Sequence, residues 1–249
     1  MMTNPGCPMG MCWYALDMAA TSSAPSAQAL VQPLESGDRL GAVEFLRRYE
    51  SMPEVKKAEL IEGTVYLPSP VRLAHAAPNS LIQAWLGSYA ARTPGTQAAG
   101  NVTVRLDAEN VPQPDALLRI LPECGGRTEL DPAGYLFGPP ELIVEVAASS
   151  VAIDLHDKLR AYRRAGVREY LVWRALEGQL DWFVLDEDEY RSNAHAGQGV
   201  LRSPHFPGLL LAVDALLEHD AAKVLDILQT GLQTPAHAAF VAQLSAKRK

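Results

Sequence analysis

Four side chains of this sequence could do chemistry together: Asp115, Glu145, Lys158 and Glu59. Glu145 stands out first, because it interrupts the apolar run of Leu142, Ile143, Val144 and Val146 within PPELIVEVAASS. A run of that kind reads as a strand inside a covered sheet. A carboxylate taken out of water there is costly unless something compensates it. Asp115 follows Pro114 at the start of another apolar strand, a place where a missing N–H is tolerated. Two carboxylates brought together repel; they remain charged only with a cation between them, or one takes up a proton. Oxygen ligands of this type suit Mg²⁺ or Mn²⁺ with several waters retained, and the backbone carbonyl of Val146 could add a third ligand. On a helix, Lys158 lies about 60° from Leu155 and beside Leu159, on the flank of the expected buried stripe. From there its ammonium can reach the end of the Glu145 strand, where it could orient a water or steady charge developing at phosphorus. Glu59 is a candidate fourth acid.

Each residue also has an ordinary reading. Asp after Pro is a common turn pairing, Glu145 could be half exposed on an edge strand, and most helix lysines are solvated. A metal-free scaffold would instead pair Glu145 with an arginine such as Arg105. The three residues are stronger evidence together, in the order Asp, strand, Glu, helix, Lys.

The elements that must position them follow from periodicity. SGDRLGAVEFLRRYE has a polar start and helical spacing, and KAELIEGTVYLPSP reads as a hairpin turning at Glu62-Gly63. A helix is expected from about 75 to 92, stopped by Thr93-Pro94-Gly95. NVTVRLD, PDALLRILP and ELIVEVA then read as three successive strands, a meander. A helix over 152–165 follows, with Leu155, Leu159 and Tyr162 as its buried stripe and Gly166 as its cap. REYLVW closes a strand–helix–strand unit, so the strands at 141 and 169 should be parallel. QLDWFVLD and EYRSNA form a further hairpin, and helical stretches from Asp214 to Leu232 and from Ala236 onward finish the chain. The expected fold class is α/β, a central mixed β-sheet flanked by helices, with an N-terminal hairpin and a C-terminal helical extension.

At 249 residues with 48% hydrophobic and 20% charged, the composition is that of a globular protein. No stretch approaches the ~20 consecutive apolar residues that cross a membrane. Residues 1–36, rich in Ala, Ser, Pro and Gln, read as a disordered leader, with Met18 a candidate true start. Cys7, Cys12 and Cys124 make no zinc pattern and read as free thiols of a cytoplasmic protein. The net charge of −7 taken alone argues against a nucleic-acid partner. The charge is uneven, however: Lys158, Arg160, Arg163, Arg164, Arg168 and Arg174 face a single Glu169 over 158–174, a candidate phosphate-binding face.

VPQPDALL, PPELIVEVAASS and DLHDKLRAYRRAGVREYLVW resemble the Uma-two family of putative restriction endonucleases, a branch of the PD-(D/E)XK nuclease superfamily. The ELIDG hairpin of that family is matched by Glu59 to Gly63, its SP…H segment by Ser69, Pro70 and His75, and its QPD by Gln113, Pro114 and Asp115. Asp154, Lys158, Leu159, Tyr162, Gly166, Val167, Glu169 and Tyr170 match the next motif, and Phe206 to Leu209 the closing FPGL. The resemblance spans about residues 55 to 215. It implies a restriction-endonuclease-like core over 37–215, followed by a helical extension over 216–249. It also implies that Asp115 and Glu145 bind Mg²⁺ or Mn²⁺. Lys158, displaced onto the helix, would replace the lysine usually two residues after the glutamate, where this chain has Ala147. The family's SPS after the glutamate is AASS here. His75, Arg160, Arg163 and Arg164 become candidate nucleic-acid contacts. The expected activity is a metal-dependent endonuclease acting on nucleic acid, DNA foremost. A fold that binds nucleic acid or regulates a partner without cleaving is the rival, and a homodimer is expected because cutting both strands usually takes two sites.

Overall fold

Every residue of the strand Leu142–Ala147 is buried, so both faces of the sheet around it must be covered. The computed structural model describes residues 31–68, 70–148, 150–193 and 199–248. Residues 1–30 of the expected 1–36 leader, with Met18, Cys7 and Cys12, and also Ser69 and Ser149, lie outside the described residues. From Gln32 onward the chain forms one compact unit.

In chain order the elements are α1 (Ala42–Glu50), β1 (Glu59–Ile61), β2 (Thr64–Tyr66), α2 (Leu73–Arg92), β3 (Thr96–Ala99), β4 (Val104–Arg105), β5 (Ala116–Ile120), β6 (Glu129–Leu130), β7 (Leu136–Phe137) and β8 (Leu142–Ala147). A π-helical segment (Ile153–Lys158) runs into α3 (Leu159–Ala165). After it come β9 (Glu169–Arg174), β10 (Gln179–Asp186), β11 (Glu189–Ser192), β12 (Val200–Arg202), β13 (Leu210–Ala212), α4 (Val213–Leu217), α5 (Ala221–Leu232) and α6 (Pro235–Lys247).

The central sheet has the order β11-β10-β9-β8-β5-β3. Its one parallel pair is β8 with β9, the strands that the helical crossover joins; β5 runs antiparallel to β8. This is the mixed sheet expected from the sequence. Alternate residues of β8 serve two cores. Leu142, Val144 and Val146 pack with α2 and with Leu216, Val224 and Leu228 of the C-terminal helices. Ile143 and Ala147 pack on the opposite face with Tyr162, Val167 and Tyr170. Glu145 shares this second face.

Three expectations need correction. The strand expected at NVTVRLD is only the short β4, which pairs with β7 in a separate small sheet. The stretch folds back on itself instead, Val104 donating to the Pro112 carbonyl and Leu106 to that of Asn110. The edge position beside β5 is taken by β3, so there is no three-strand meander. The helix expected over 214–232 is broken around His219, whose φ is 59°. The stripe of the 152–165 helix is also displaced, with consequences for the site. The hairpin turns where expected, with positive φ at both Glu62 and Gly63, the conformation of a tight hairpin turn. Among the described residues no helix is long and apolar enough to cross a membrane.

Candidate active site

The register of β5 and β8 pairs Ala116 with Val144 and Leu117 with Ile143. One step further along, Asp115 stands opposite Glu145, and directly opposed residues of antiparallel strands point to one face. The contacts agree. The Val146 N–H donates to Asp115 Oδ2 at 2.9 Å, and the Asp115 N–H approaches Glu145 Oε2 at 3.4 Å. Both acids are almost fully enclosed, Asp115 at 3% and Glu145 at 2% exposure.

Lys158 reaches this pair because of the π-helical segment. Its wider turn, with i→i+5 bonding, rotates the helix face. Asp154, Lys158, Ala161 and Tyr162 then bury their side chains, while Leu155 and Leu159 are only partly covered. Lys158 therefore lies at the centre of the buried stripe, not on its flank. Its Nζ sits 2.9 Å from Glu145 Oε1, 3.0 Å from Glu59 Oε1 and 3.4 Å from Asp154 Oδ1. The Tyr162 hydroxyl donates to the same Glu145 oxygen at 2.8 Å.

The hairpin delivers Glu59, whose Oε1 also accepts from the Gln113 N–H at 2.8 Å. It is docked by the bridge between Leu60 and Val111. Just before it, Lys57 places Nζ 3.2 Å from Asp115 Oδ1, and from the start of α2 His75 Nε2 lies 3.0 Å from Asp115 Oδ2. Gln83, two turns further along α2, donates to the Asp115 carbonyl at 2.6 Å. Its approach crosses Gly100, where a Cβ would fall 1.9 Å from Gln83 Nε2.

The electrostatics divide the two acids. Burial works against charge at Asp115, but His75, Lys57 and the Val146 N–H outweigh it and hold the carboxyl well below the usual range. Glu145 is pushed up to about 8, first by burial and then by Asp115, Asp154 and Glu59, against the pull of Lys158. Asp154 is raised for the same leading reason. Lys158 itself is held charged: burial opposes this, and Glu145, Glu59 and Asp154 outweigh it.

Four carboxylates (Glu59, Asp115, Glu145, Asp154) thus meet two ammonium groups (Lys57, Lys158), a surplus of two negative charges when all ionise and His75 is neutral. Asp154 Oδ1 is buried with no hydrogen-bond partner among the described residues; its approach to Lys158 is an ion pair without hydrogen-bond geometry. This surplus and the oxygen chemistry fit one divalent cation. No set of three or more His, Cys, Asp or Glu side chains among the described residues is arranged to hold a metal ion. The fit is instead to a cation held by two carboxylates with water completing the shell, the habit of Mg²⁺.

The basic face behaves differently. Arg160 is paired with Asp157, Arg163 with Glu189 and Arg164 with Glu62, all at the surface, so none of the three is a free cation. Arg105 is not the partner of Glu145; it lies over the Phe137 ring, 5.9 Å from its centroid.

A family model named Uma2 and described as "Putative restriction endonuclease" matches residues 42–214. The chain belongs to this family. The Uma2 match encloses Glu59, Asp115, Glu145 and Lys158 as well as His75. A crystal structure titled as a putative nuclease belonging to DUF820, from Anabaena variabilis, is similar at a TM-score of 0.54 and 15% identity. The alignment covers 70% of this chain and 97% of that one. At that identity the likeness shows the fold alone, a mixed sheet flanked by helices. No curated protein matches the chain.

Sequence reasoning singled out Asp115, Glu145, Lys158, Glu59 and His75, which the structure brings to one place. It did not place Lys57 or Asp154 there. Both had a signal. Lys57 precedes Glu59 by two positions, the spacing that shares a face in extended chain. Asp154 precedes Lys158 by four, the spacing of a helical ion pair.

Proposed function

We propose that this chain is a divalent-metal-dependent endonuclease hydrolysing phosphodiester bonds of nucleic acid, with DNA as the substrate. The observation that carries the reading is the buried pair Asp115 and Glu145 on adjacent strands, with Lys158 Nζ 2.9 Å from Glu145 and an acidic surplus around them. Membership of the Uma2 family supports the reaction class.

Asp115 and Glu145 hold the cation, and the backbone of Val146 faces the same place through its N–H bond to Asp115. Bound Mg²⁺ or Mn²⁺ supplies a Lewis acid that acidifies water and offsets phosphate charge. Asp115, kept ionised by His75, Lys57 and the Val146 N–H, is the permanently anionic ligand. Lys158 is the site's fixed cation: its ammonium would orient the attacking water and steady charge developing on the phosphoryl oxygens. Glu59 and Asp154 position Lys158 from two further sides. His75, partly exposed beside Asp115, reaches a phosphate of the entering strand only by releasing Asp115, since its Nε2 is on that carboxylate and its Nδ1 is buried. The protein is cytoplasmic and acts as a homodimer in this reading, one site for each strand of a duplex.

Supercoiled plasmid incubated with Mg²⁺ or Mn²⁺ tests this. Nicking by the wild type that Asp115→Ala, Glu145→Ala and Lys158→Ala all lose is the expected result. Equal nicking by the three variants would remove Asp115, Glu145 and Lys158 from the mechanism. A second reading is favoured by the lysines that occupy both acids: a nuclease fold that binds nucleic acid or regulates a partner without cleaving. It predicts binding in a gel-shift assay and no nicking with any divalent ion.

A further inference from the structure

Lys57 was not among the residues that the sequence singled out, and the reaction outlined above assigns it no step. Its placement is nonetheless specific. The chain from Lys57 to Glu59 alternates as extended backbone does, so Lys57 and Glu59 project toward one face. There Lys57 Nζ lies 3.2 Å from Asp115 Oδ1, while Glu59 meets Lys158. The other oxygen of Asp115 is already engaged by His75 and by the Val146 N–H. Lys57 is thus the cation on the one Asp115 oxygen that no backbone group or histidine claims, and its side chain keeps 24% exposure where that of Lys158 keeps 5%.

We propose that Lys57 is a built-in place-holder for the divalent ion: its ammonium occupies the cation position beside Asp115 and withdraws when the ion binds. This rests on the metal-dependent reading of the site. Three features argue for exchange over a fixed structural pair. Lys158 is held by three carboxylates and cannot leave without stranding them, whereas Lys57 has a single hydrogen-bonded carboxylate partner. Lys57 is attached just before β1, on a connection that reaches solvent, with Lys56 beside it exposed. An ammonium and a divalent ion on the same carboxylate repel strongly at this range, so both cannot keep their places. The device has two effects. Without metal, Lys57 offsets the repulsion between Asp115 and its opposed neighbour Glu145, which keeps the acid pair assembled. With metal, the displaced ammonium is left at the mouth of the site, where a phosphate would meet it.

The test is calorimetric titration of Mn²⁺ into wild type and Lys57→Met at one pH, without nucleic acid, with the melting temperature of each recorded in EDTA. Removing a competing cation should tighten Mn²⁺ binding about tenfold, since one like charge is withdrawn from the ion's neighbourhood. Lys57→Arg, which keeps the charge, should bind Mn²⁺ within about threefold of wild type. Unchanged or weaker Mn²⁺ binding by Lys57→Met overturns the proposal. So does a lower melting temperature with unchanged Mn²⁺ affinity, the signature of a purely structural ion pair. If neither wild type nor Lys57→Met takes up Mn²⁺, the metal-dependent reading itself falls and the exchange falls with it.

Discussion

Replacing Lys158 with Met isolates the charge that holds the site together. The ammonium stands 2.9, 3.0 and 3.4 Å from carboxylates of Glu145, Glu59 and Asp154, with its side chain 5% exposed. At an effective dielectric of about 20 each contact is worth on the order of 5 kcal/mol. Desolvation of Lys158 and of the three acids offsets most of that sum. The measured loss on breaking a buried ion pair is about 3–5 kcal/mol, because the remaining charges are stranded. Met fills similar space, so little of the loss comes from a cavity. The sign of the pH dependence follows from Glu145. Its folded pKa is raised from 4.5 to about 8 even with Lys158 present, and rises further without it. A raised carboxyl contributes stability that is present below its unfolded pKa and lost as pH rises through the folded value. Urea unfolding in EDTA should therefore show the variant about 3–5 kcal/mol less stable at about pH 9. The gap should narrow by at least ~1 kcal/mol at about pH 5, where Glu145 is protonated in both proteins. A loss under ~1 kcal/mol, or a gap constant across this range, would refute the claim that Lys158 neutralises a buried acid cluster.

Glu145→Gln keeps an acceptor for Lys158 and Tyr162 but cannot ionise, so metal-free protein should gain about 1–3 kcal/mol over wild type as pH rises from 4.5 through about 8, while plasmid nicking disappears; thermal melts against pH and a nicking assay check both halves. Gly100→Ala pushes a methyl into Gln83 and the Asp115 carbonyl, and should cost about 1–3 kcal/mol and slow nicking without touching an ionisable group, as a urea melt and initial rates would show. Arg164→Ala removes one exposed partner of Glu62; stability should move by less than about 1 kcal/mol. Its DNA affinity should keep the wild-type salt dependence, whereas a slope lower by about one would mark Arg164 as a phosphate contact after all.

The fold was legible wherever one period dominated. The apolar run of Leu142–Ala147, the helical spacing of Leu81, Ile82, Trp85, Leu86 and Tyr89, and the βαβ order over 141–174 required nothing beyond the chain itself. β3 was not legible: Thr96–Ala99 is short and lacks β-branched residues beyond Thr96, so only its pairing with β5 makes it a strand. The π-helical segment was not legible either, because a 3.6-residue period favours Leu155 and Leu159, and burial of Lys158 is favourable only once Glu59 and Glu145 are opposite it, as that of Asp154 is only once Lys158 and Ser150 meet it. The site was legible through its anomaly. Glu145 in an apolar strand identified the acid pair, whereas Lys57 carried no anomaly beyond its two-residue spacing from Glu59. The arginines at 160, 163 and 164 show the converse. A basic run in sequence is not a basic surface, since Asp157, one position before the run, and Glu189 and Glu62, from other parts of the chain, meet it.

Asp115 and Glu145 share a face and a cross-strand pairing, yet their environments push them apart in acidity. Asp115 stands at the end of β5, where Lys57, His75 and the Val146 N–H all donate to it. Glu145 stands one strand further in, beneath the π-helical turn, where three other carboxylates crowd it and Lys158 is shared. Two equivalent acids would bind a cation and a proton with similar indifference. Two acids separated in this way give one fixed anion and one whose ionisation is unfavourable until positive charge arrives. The burial that makes Glu145 a poor residue for stability is what would make a divalent ion favour the folded chain over the unfolded one, because only the folded chain holds an acid surplus for the ion to relieve.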